Sequence, residues 1–266
     1  MRWNRLVALT CAALGCAVFI SPAWAVRYVA LGDSYSSGTG ARIYYDAGCQ
    51  RSPASYPHLV RNAHPTWTFV NATCSGARTG DVINTQAASL STDTDWVTYT
   101  IGGNDAGFSS VITRCALPSW AANCNAAIDG AQAYIRATLP GRLDLVNETI
   151  KAKAPSAKVI VLNYPRLFNG SDCNALTFFS ASEMTRLDQT ADQLRTQVSA
   201  AANRAGANFV FRDVIPAFLG HAVCDGGSGS ATEWINGLSN PVGESYHPKT
   251  GGHASGYYPA VRSVTG

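Results

Sequence analysis

Past residue 25 the sequence has no run of about 18 or more apolar residues, so nothing there reads as a membrane span. Charge is sparse as well, with Asp, Glu, Lys and Arg making up 14% of the chain. Of 20 Lys and Arg, two (Arg2 and Arg5) precede residue 25, which leaves 18 against 17 Asp and Glu, a formal +1. So even a balance gives no electrostatic reason to expect nucleic acid or an anionic membrane as a partner. CxxC and HExxH motifs are missing, which argues against a metal centre, and no cofactor is expected. There is no phosphate-binding GxxxxGK[ST] loop and no acidic metal cluster, so phosphoryl transfer has no support. Internal repeats and charged tails are absent too.

What is there begins with an address. Met1 to Ala25 carries Arg2 and Arg5, an apolar stretch from Leu6 to Ile20, and a small-x-small ending at Ala23-Trp24-Ala25. This pattern predicts a secretory signal peptide over residues 1–25. Cys16 as a lipid-anchored residue is disfavoured, because Ala13-Leu14-Gly15 is a poor lead-in and Ala17 to Ile20 continues the apolar segment. The remaining 266 − 25 = 241 residues suit one α/β domain over 26–266. Six cysteines fall in it: Cys49, Cys74, Cys115, Cys124, Cys173 and Cys224. An even set in an exported chain reads as three disulfides, and of the roughly 15 connectivities open to six cysteines, pairing of neighbours is the simplest.

Short apolar or β-rich runs at 28–31, 67–70, 96–101, 158–162 and 208–211 read as buried strands ending at Gly, Asn or Asp. Between them, helices are expected over 55–63, over 126–153 with a break at Leu139-Pro140-Gly141, and over 182–204. In the last, Met184, Leu187, Ala191, Leu194 and Val198 keep helical spacing and Ser182 is the expected cap. Alternating strands and helices predict a three-layer α/β/α sandwich around a mostly parallel five-stranded sheet. Residues 224–243, rich in Gly, Ser and Asn, read either as a surface loop or as a segment bordering a site.

Four motifs sit at or after strand ends or near the C-terminus: Gly32-Asp33-Ser34, Cys74-Ser75-Gly76, Gly102-Gly103-Asn104-Asp105 and Glu244-Ser245-Tyr246-His247-Pro248. Ligands of open parallel sheets bind beyond the carboxyl ends of the strands, so Ser34, Gly76 and Asn104 should converge at one edge. The GxSxG elbow of α/β-hydrolases does not occur around Ser34.

These motifs resemble those of the SGNH hydrolases, also called the GDSL family, and the six cysteines look most like its secreted actinomycete lipase and esterase branch. The resemblance implies a secreted serine hydrolase of small-molecule or lipid esters. Ser34 would be the nucleophile and His247 the base. The backbone N–H groups of Ser34 and Gly76 and the side-chain amide of Asn104 would form the oxyanion hole. Many members carry an aspartate three residues before the histidine, where this chain has Glu244. A Ser-His-Glu triad is therefore one expectation, and a dyad whose histidine is oriented by the Ser245 carbonyl is the favoured one. A carbohydrate acetylesterase, a phospholipase and an inactive binding protein are the competing functions, and a monomer is expected. His253 reads as a structural histidine. Tyr35, Tyr44, Tyr45, Phe108, Trp120, Phe168, Phe178 and Phe179 are candidates to line an acyl pocket.

Overall fold

All five expected strands form, each close to its expected bounds: β1 Arg27–Gly32, β2 Thr68–Asn71, β3 Trp96–Thr100, β4 Lys158–Leu162 and β5 Phe209–Arg212. The computed structural model describes residues 25–266, so the expected signal peptide lies, but for Ala25, outside the described residues. Every strand pair is parallel, in the order β2-β1-β3-β4-β5. Parallel strands covered on both faces must be apolar along their whole length rather than alternately. Tyr28 to Leu31 and Val159 to Leu162 are accordingly buried without a break.

The helices are α1 Ser34–Ser37, α2 Tyr56–Ala63, α3 Thr79–Asn84, α4 Phe108–Ala116, α5 Cys124–Ala137, α6 Leu139–Lys153, α7 Ala181–Ala205 and α8 Tyr258–Thr265. The expected break near Pro140 separates α5 from α6, and the proline sits in the first turn of α6, where its missing N–H costs nothing. Packing divides the helices into two layers. α5, α6 and α7 pack on one another with α3 against α6, whereas α2 packs with α8. The sandwich of the sequence reading is thus the observed fold.

One expected detail is corrected. The cap of α7 is Ser180, not Ser182: Ser180 Oγ accepts from the Glu183 backbone N–H, and the Glu183 carboxylate accepts from the Ser180 N–H. This reciprocal box satisfies two orphan donors of the first turn, whereas a cap at Ser182 would satisfy one.

Three disulfides join neighbours in sequence, Cys49–Cys74, Cys115–Cys124 and Cys173–Cys224. On the loop-entropy model each contributes on the order of 3 kcal/mol, the last most. The first also has a local effect: it ties the loop after α1 to the turn carrying Gly76, and the Ser75 N–H donates to the Cys49 carbonyl across it at 3.0 Å. Asn147, one of three Asn-x-Ser/Thr sites in the sequence, is buried in α6, where it accepts from the Tyr99 hydroxyl and donates to the Ala201 carbonyl.

Candidate active site

In a sheet ordered 2-1-3-4-5 the chain leaves β1 and β3 in opposite directions, which opens a crevice beyond their carboxyl ends. Ser34 follows β1 directly and Asn104 follows β3 by a short turn. Asp33 fixes the turn between β1 and α1. Its Oδ1 accepts from the Tyr35 N–H and the Thr100 hydroxyl, and its Oδ2 accepts from the Tyr164 hydroxyl. Burial raises the Asp33 carboxyl to about 7, with those three donors pulling the other way. Tyr164 in turn accepts from the Gly103 N–H at 3.1 Å, so one buried chain of hydrogen bonds holds the turns after β1, β3 and β4 together. Asp105, next to Asn104, accepts from the N–H and hydroxyl of Thr79 and so secures the start of α3.

His247 arrives from the far end of the chain. Its Nε2 lies 2.8 Å from Ser34 Oγ and its Nδ1 lies 2.9 Å from the Ser245 carbonyl oxygen. A carbonyl can only accept, so the Nδ1 hydrogen points to Ser245 and the Nε2 lone pair faces the serine hydroxyl. The imidazole is only 8% exposed, and burial pushes it down to about 4, against the upward pull of the Ser245 carbonyl. At neutral pH it is therefore the free base.

The segment bearing His247 is held on three sides. Asn236 bonds the His247 carbonyl through both its backbone N–H and its side-chain amide, and that amide also reaches the Gly40 carbonyl. The Tyr35 hydroxyl donates to the Tyr246 carbonyl at 2.6 Å. Gly40 presses against the same segment so closely that a Cβ there would come within 2.8 Å of Asn236 and of the Pro248 carbonyl. Part of the stretch 224–243 thus borders the site, anchored by Asn236 and the buried Ile235.

Glu244 does not face the imidazole. Its Oε1 accepts from the Tyr44 hydroxyl at 2.7 Å, and its Oε2 pairs with Arg42 Nε at 3.3 Å. Tyr44 also accepts from the Gly40 N–H, so Glu244 braces the loop after α1 against the histidine segment.

The backbone N–H groups of Ser34 and Gly76 donate to no group among the described residues. Gly76 has φ +82°, a left-handed conformation that side chains disfavour, with open space where a Cβ would point. Asn104 Nδ2 donates to the Ala77 carbonyl at 3.0 Å. One amide hydrogen orients the side chain and the second remains to donate. His253 is fully buried among Tyr56 and Tyr257, and neither of its ring nitrogens has a partner among the described residues.

A cleft of about 660 Å³, open mouth included, runs away from Ser34 and Asn104. Its walls are apolar side chains such as Phe108 and Val111 of α4, Ala131 and Ile135 of α5, and Leu187 and Leu194 of α7. Of the aromatic residues expected to line a pocket, Tyr35 and Phe108 do so. Phe168 and Phe179 instead pack at tilted and edge-on angles against each other and Tyr246, Tyr44 braces Glu244, and Tyr45, Trp120 and Phe178 are exposed. The aliphatic lining was visible in the sequence only as the apolar stripe of α7. Tyr164 follows the fourth expected strand and so falls at the same sheet edge by sequence, but its bond to Asp33, like that of Asn236 to the Gly40 carbonyl, carried no signal, because those partners lie far away along the chain.

Comparison with known proteins agrees with this arrangement of motifs. The profile of the GDSL-like lipase/acylhydrolase family matches residues 30–254. Lipase 1 of Streptomyces coelicolor is 44% identical over 248 residues, covering 91% of this chain and 88% of that relative. The crystal structure of an extracellular lipase from Streptomyces rimosus superposes with a TM-score of 0.82 at 42% identity, covering 90% of this chain and 99% of that one. The crystal structure of phospholipase A1 from Streptomyces albidoflavus gives the same TM-score, 0.82, also at 42% identity, with 90% and 99% covered. A family profile and relatives that both span most of its length place this chain in the GDSL-like lipase/acylhydrolase family, as a carboxylic ester hydrolase.

Proposed function

We propose that this chain is an exported hydrolase of lipid esters whose chemistry is carried by Ser34 and His247, without a carboxylate partner to the histidine. The single observation that carries this reading is the serine hydroxyl at 2.8 Å from a neutral, buried imidazole, at the edge of an apolar cleft. In the first step Ser34 Oγ bonds to the ester carbonyl carbon while its proton passes to His247 Nε2. The oxyanion is met by the N–H groups of Ser34 and Gly76 and by Asn104 Nδ2. The C–O bond to the alcohol then breaks, and the alcohol leaves with the proton from Nε2. Water attacks the acyl-enzyme by the same route, giving up its proton to His247 and releasing the acid and Ser34. Export is supported by the leader-like N-terminus, the three disulfides and the likeness to a lipase described as extracellular.

A cleft walled by Val111, Ile135, Leu187 and Leu194 favours substrates whose acyl chain buries apolar surface, at about 0.8 kcal/mol per methylene. Hydrolysis of p-nitrophenyl esters from acetyl to palmitoyl tests this: kcat/KM should rise with chain length to an optimum beyond acetyl. An optimum at acetyl would favour the carbohydrate acetylesterase instead.

Because Glu244 is engaged by Tyr44 and Arg42, Glu244→Gln should retain kcat within about threefold. The imidazole must be neutral to act as a base, so kcat/KM should fall as pH drops through about 4, and this acid limb should be the same in the variant. A loss of several orders of magnitude, or a displaced limb, would make Glu244 a triad member.

A further inference from the structure

Two loops beyond the apolar cleft expose large apolar side chains that the chemistry does not use. Leu117 (45% exposed) and Trp120 (87%) lie between α4 and α5, and Leu176 (75%) and Phe178 (57%) lie just before α7. The loops are joined, since the Phe178 N–H donates to the Ala116 carbonyl at 3.2 Å. The first is closed by Cys115–Cys124 and the second is anchored by Cys173–Cys224, so neither can easily fold back to bury these side chains.

Residues 117–123 and 173–180 contain no charged side chain. The acid that precedes the second loop, Asp172, turns its carboxylate inward and accepts from Asn174 N–H, the Thr177 hydroxyl and Phe179 N–H. Arg114, on the last turn of α4, is exposed and pairs with no carboxylate among the described residues. The patch is therefore apolar at its centre, with the Arg114 guanidinium at one edge and the Glu183 carboxylate, bonded to Ser180, at the other.

The patch also lies at one end of the helices that wall the cleft. At about 1.5 Å per residue, Ala116 is some 8 Å along α4 from Val111, Ala181 about 9 Å along α7 from Leu187, and Cys124 about 11 Å along α5 from Ala131. The three helices that wall the cleft thus all reach the patch at one end.

From this juxtaposition we propose that Leu117, Trp120, Leu176 and Phe178 form a docking surface for a phospholipid aggregate, with Arg114 beside the lipid phosphates. Trp and Phe partition into the headgroup boundary, and an apolar patch held rigid pays little ordering entropy on entering it. The nearly neutral net charge means that apolar immersion supplies the affinity and the arginine a smaller share. The inference deepens the reading of a lipid-ester hydrolase and rests on it for its purpose, though vesicle binding is measured without turnover.

The test uses the Ser34→Ala chain, which keeps the patch and spares the lipid, with vesicles of phosphatidylcholine and phosphatidylglycerol in a flotation assay. Binding is expected, and Trp120→Ser with Phe178→Ser should weaken it by about tenfold or more. With Ser34 intact, the same double substitution should leave hydrolysis of soluble p-nitrophenyl butyrate within about twofold while lowering that of vesicle lipid. No flotation of the folded chain, or flotation that the double substitution leaves unchanged, would overturn the proposal. So would an equal loss on the soluble ester, which would make these residues part of the fold or the cleft. A dimer dispersed by Trp120→Ser would also overturn it, assigning the patch to a contact between copies. Vesicle binding that depends on Trp120, with no ester of any kind hydrolysed, would leave the surface standing and refute the hydrolase reading alone.

Discussion

Ser34→Ala is expected to lower kcat on a p-nitrophenyl ester by about a millionfold, to a residue near the rate supplied by binding and oxyanion donors alone. The hydroxyl lies at the cleft and 2.8 Å from a neutral base, His247 Nε2. Alanine removes the bond-forming atom and leaves the imidazole with nothing to deprotonate but water. KM should change little, because in the proposed reading the acyl chain binds between the walls from α4, α5 and α7 and not to the hydroxyl. His247→Ala should lose a comparable amount, and the double variant no more than either alone, since nucleophile and base act as one unit. Folding should survive Ser34→Ala: Ser34 lies in the first turn of α1, whose cap is Asp33. Single-turnover and steady-state assays beside a circular dichroism spectrum would check each point. A variant that retains activity within tenfold would remove Ser34 as nucleophile.

Asn104→Ala should cost about 10²- to 10³-fold in kcat, with KM nearly constant, as expected for a donor engaged only when the carbonyl oxygen becomes an anion. The side chain is already oriented by its bond to the Ala77 carbonyl, so its remaining amide hydrogen needs no rearrangement to meet that charge. Asn104→Asp should be worse than alanine, because a carboxylate near the developing oxyanion repels it and also faces the Ala77 carbonyl. A glycine at 104, if folded, should resemble alanine. A parallel rise in KM would instead mark Asn104 as a ground-state contact. Gly76 is the complementary case. Its donor is backbone, so a substitution there acts through the left-handed φ of +82° rather than through a lost side chain.

Much of this was legible in the linear sequence, for identifiable reasons. Buried parallel strands have to be continuous apolar runs, so 158–162 coincides with β4 and the other four strands fall close to their expected bounds. Strand ends gather at one edge in such a sheet, which brought Ser34, Gly76 and Asn104 into register before any coordinates. Helix ends were less legible. Ser180 and Ser182 are both cap candidates by residue type, but only Ser180 has a glutamate three residues on, the spacing of the reciprocal bond that selects it.

The acyl cleft illustrates a deeper limit. Leu187, Ala191 and Leu194 keep helical spacing with Met184 and Val198, which the sequence presents as one core-facing stripe. Met184, Leu187, Leu194 and Val198 are all buried, yet Leu187 and Leu194 line the cleft with Ala191 and the other two do not. Periodicity reports only that a side chain avoids water, and a core and a cavity wall avoid it equally well.

By itself the sequence determined the five strands and the helices α2, α5, α6 and α7, the edge at which the site forms, the residue types available for acyl transfer and the simplest disulfide pairing. Those properties are local, or follow from the period of the apolar pattern. Only the tertiary structure decided that His247 donates its Nδ1 hydrogen to the Ser245 carbonyl while Glu244 turns to Tyr44 and Arg42. It alone placed Asn236 and Tyr35 as the anchors of the histidine segment, 11 and 211 residues away along the chain. Such choices depend on which distant groups reach one point in space. The chain does not encode that in any single stretch, because the enthalpy of each contact exists only after the loops have been closed.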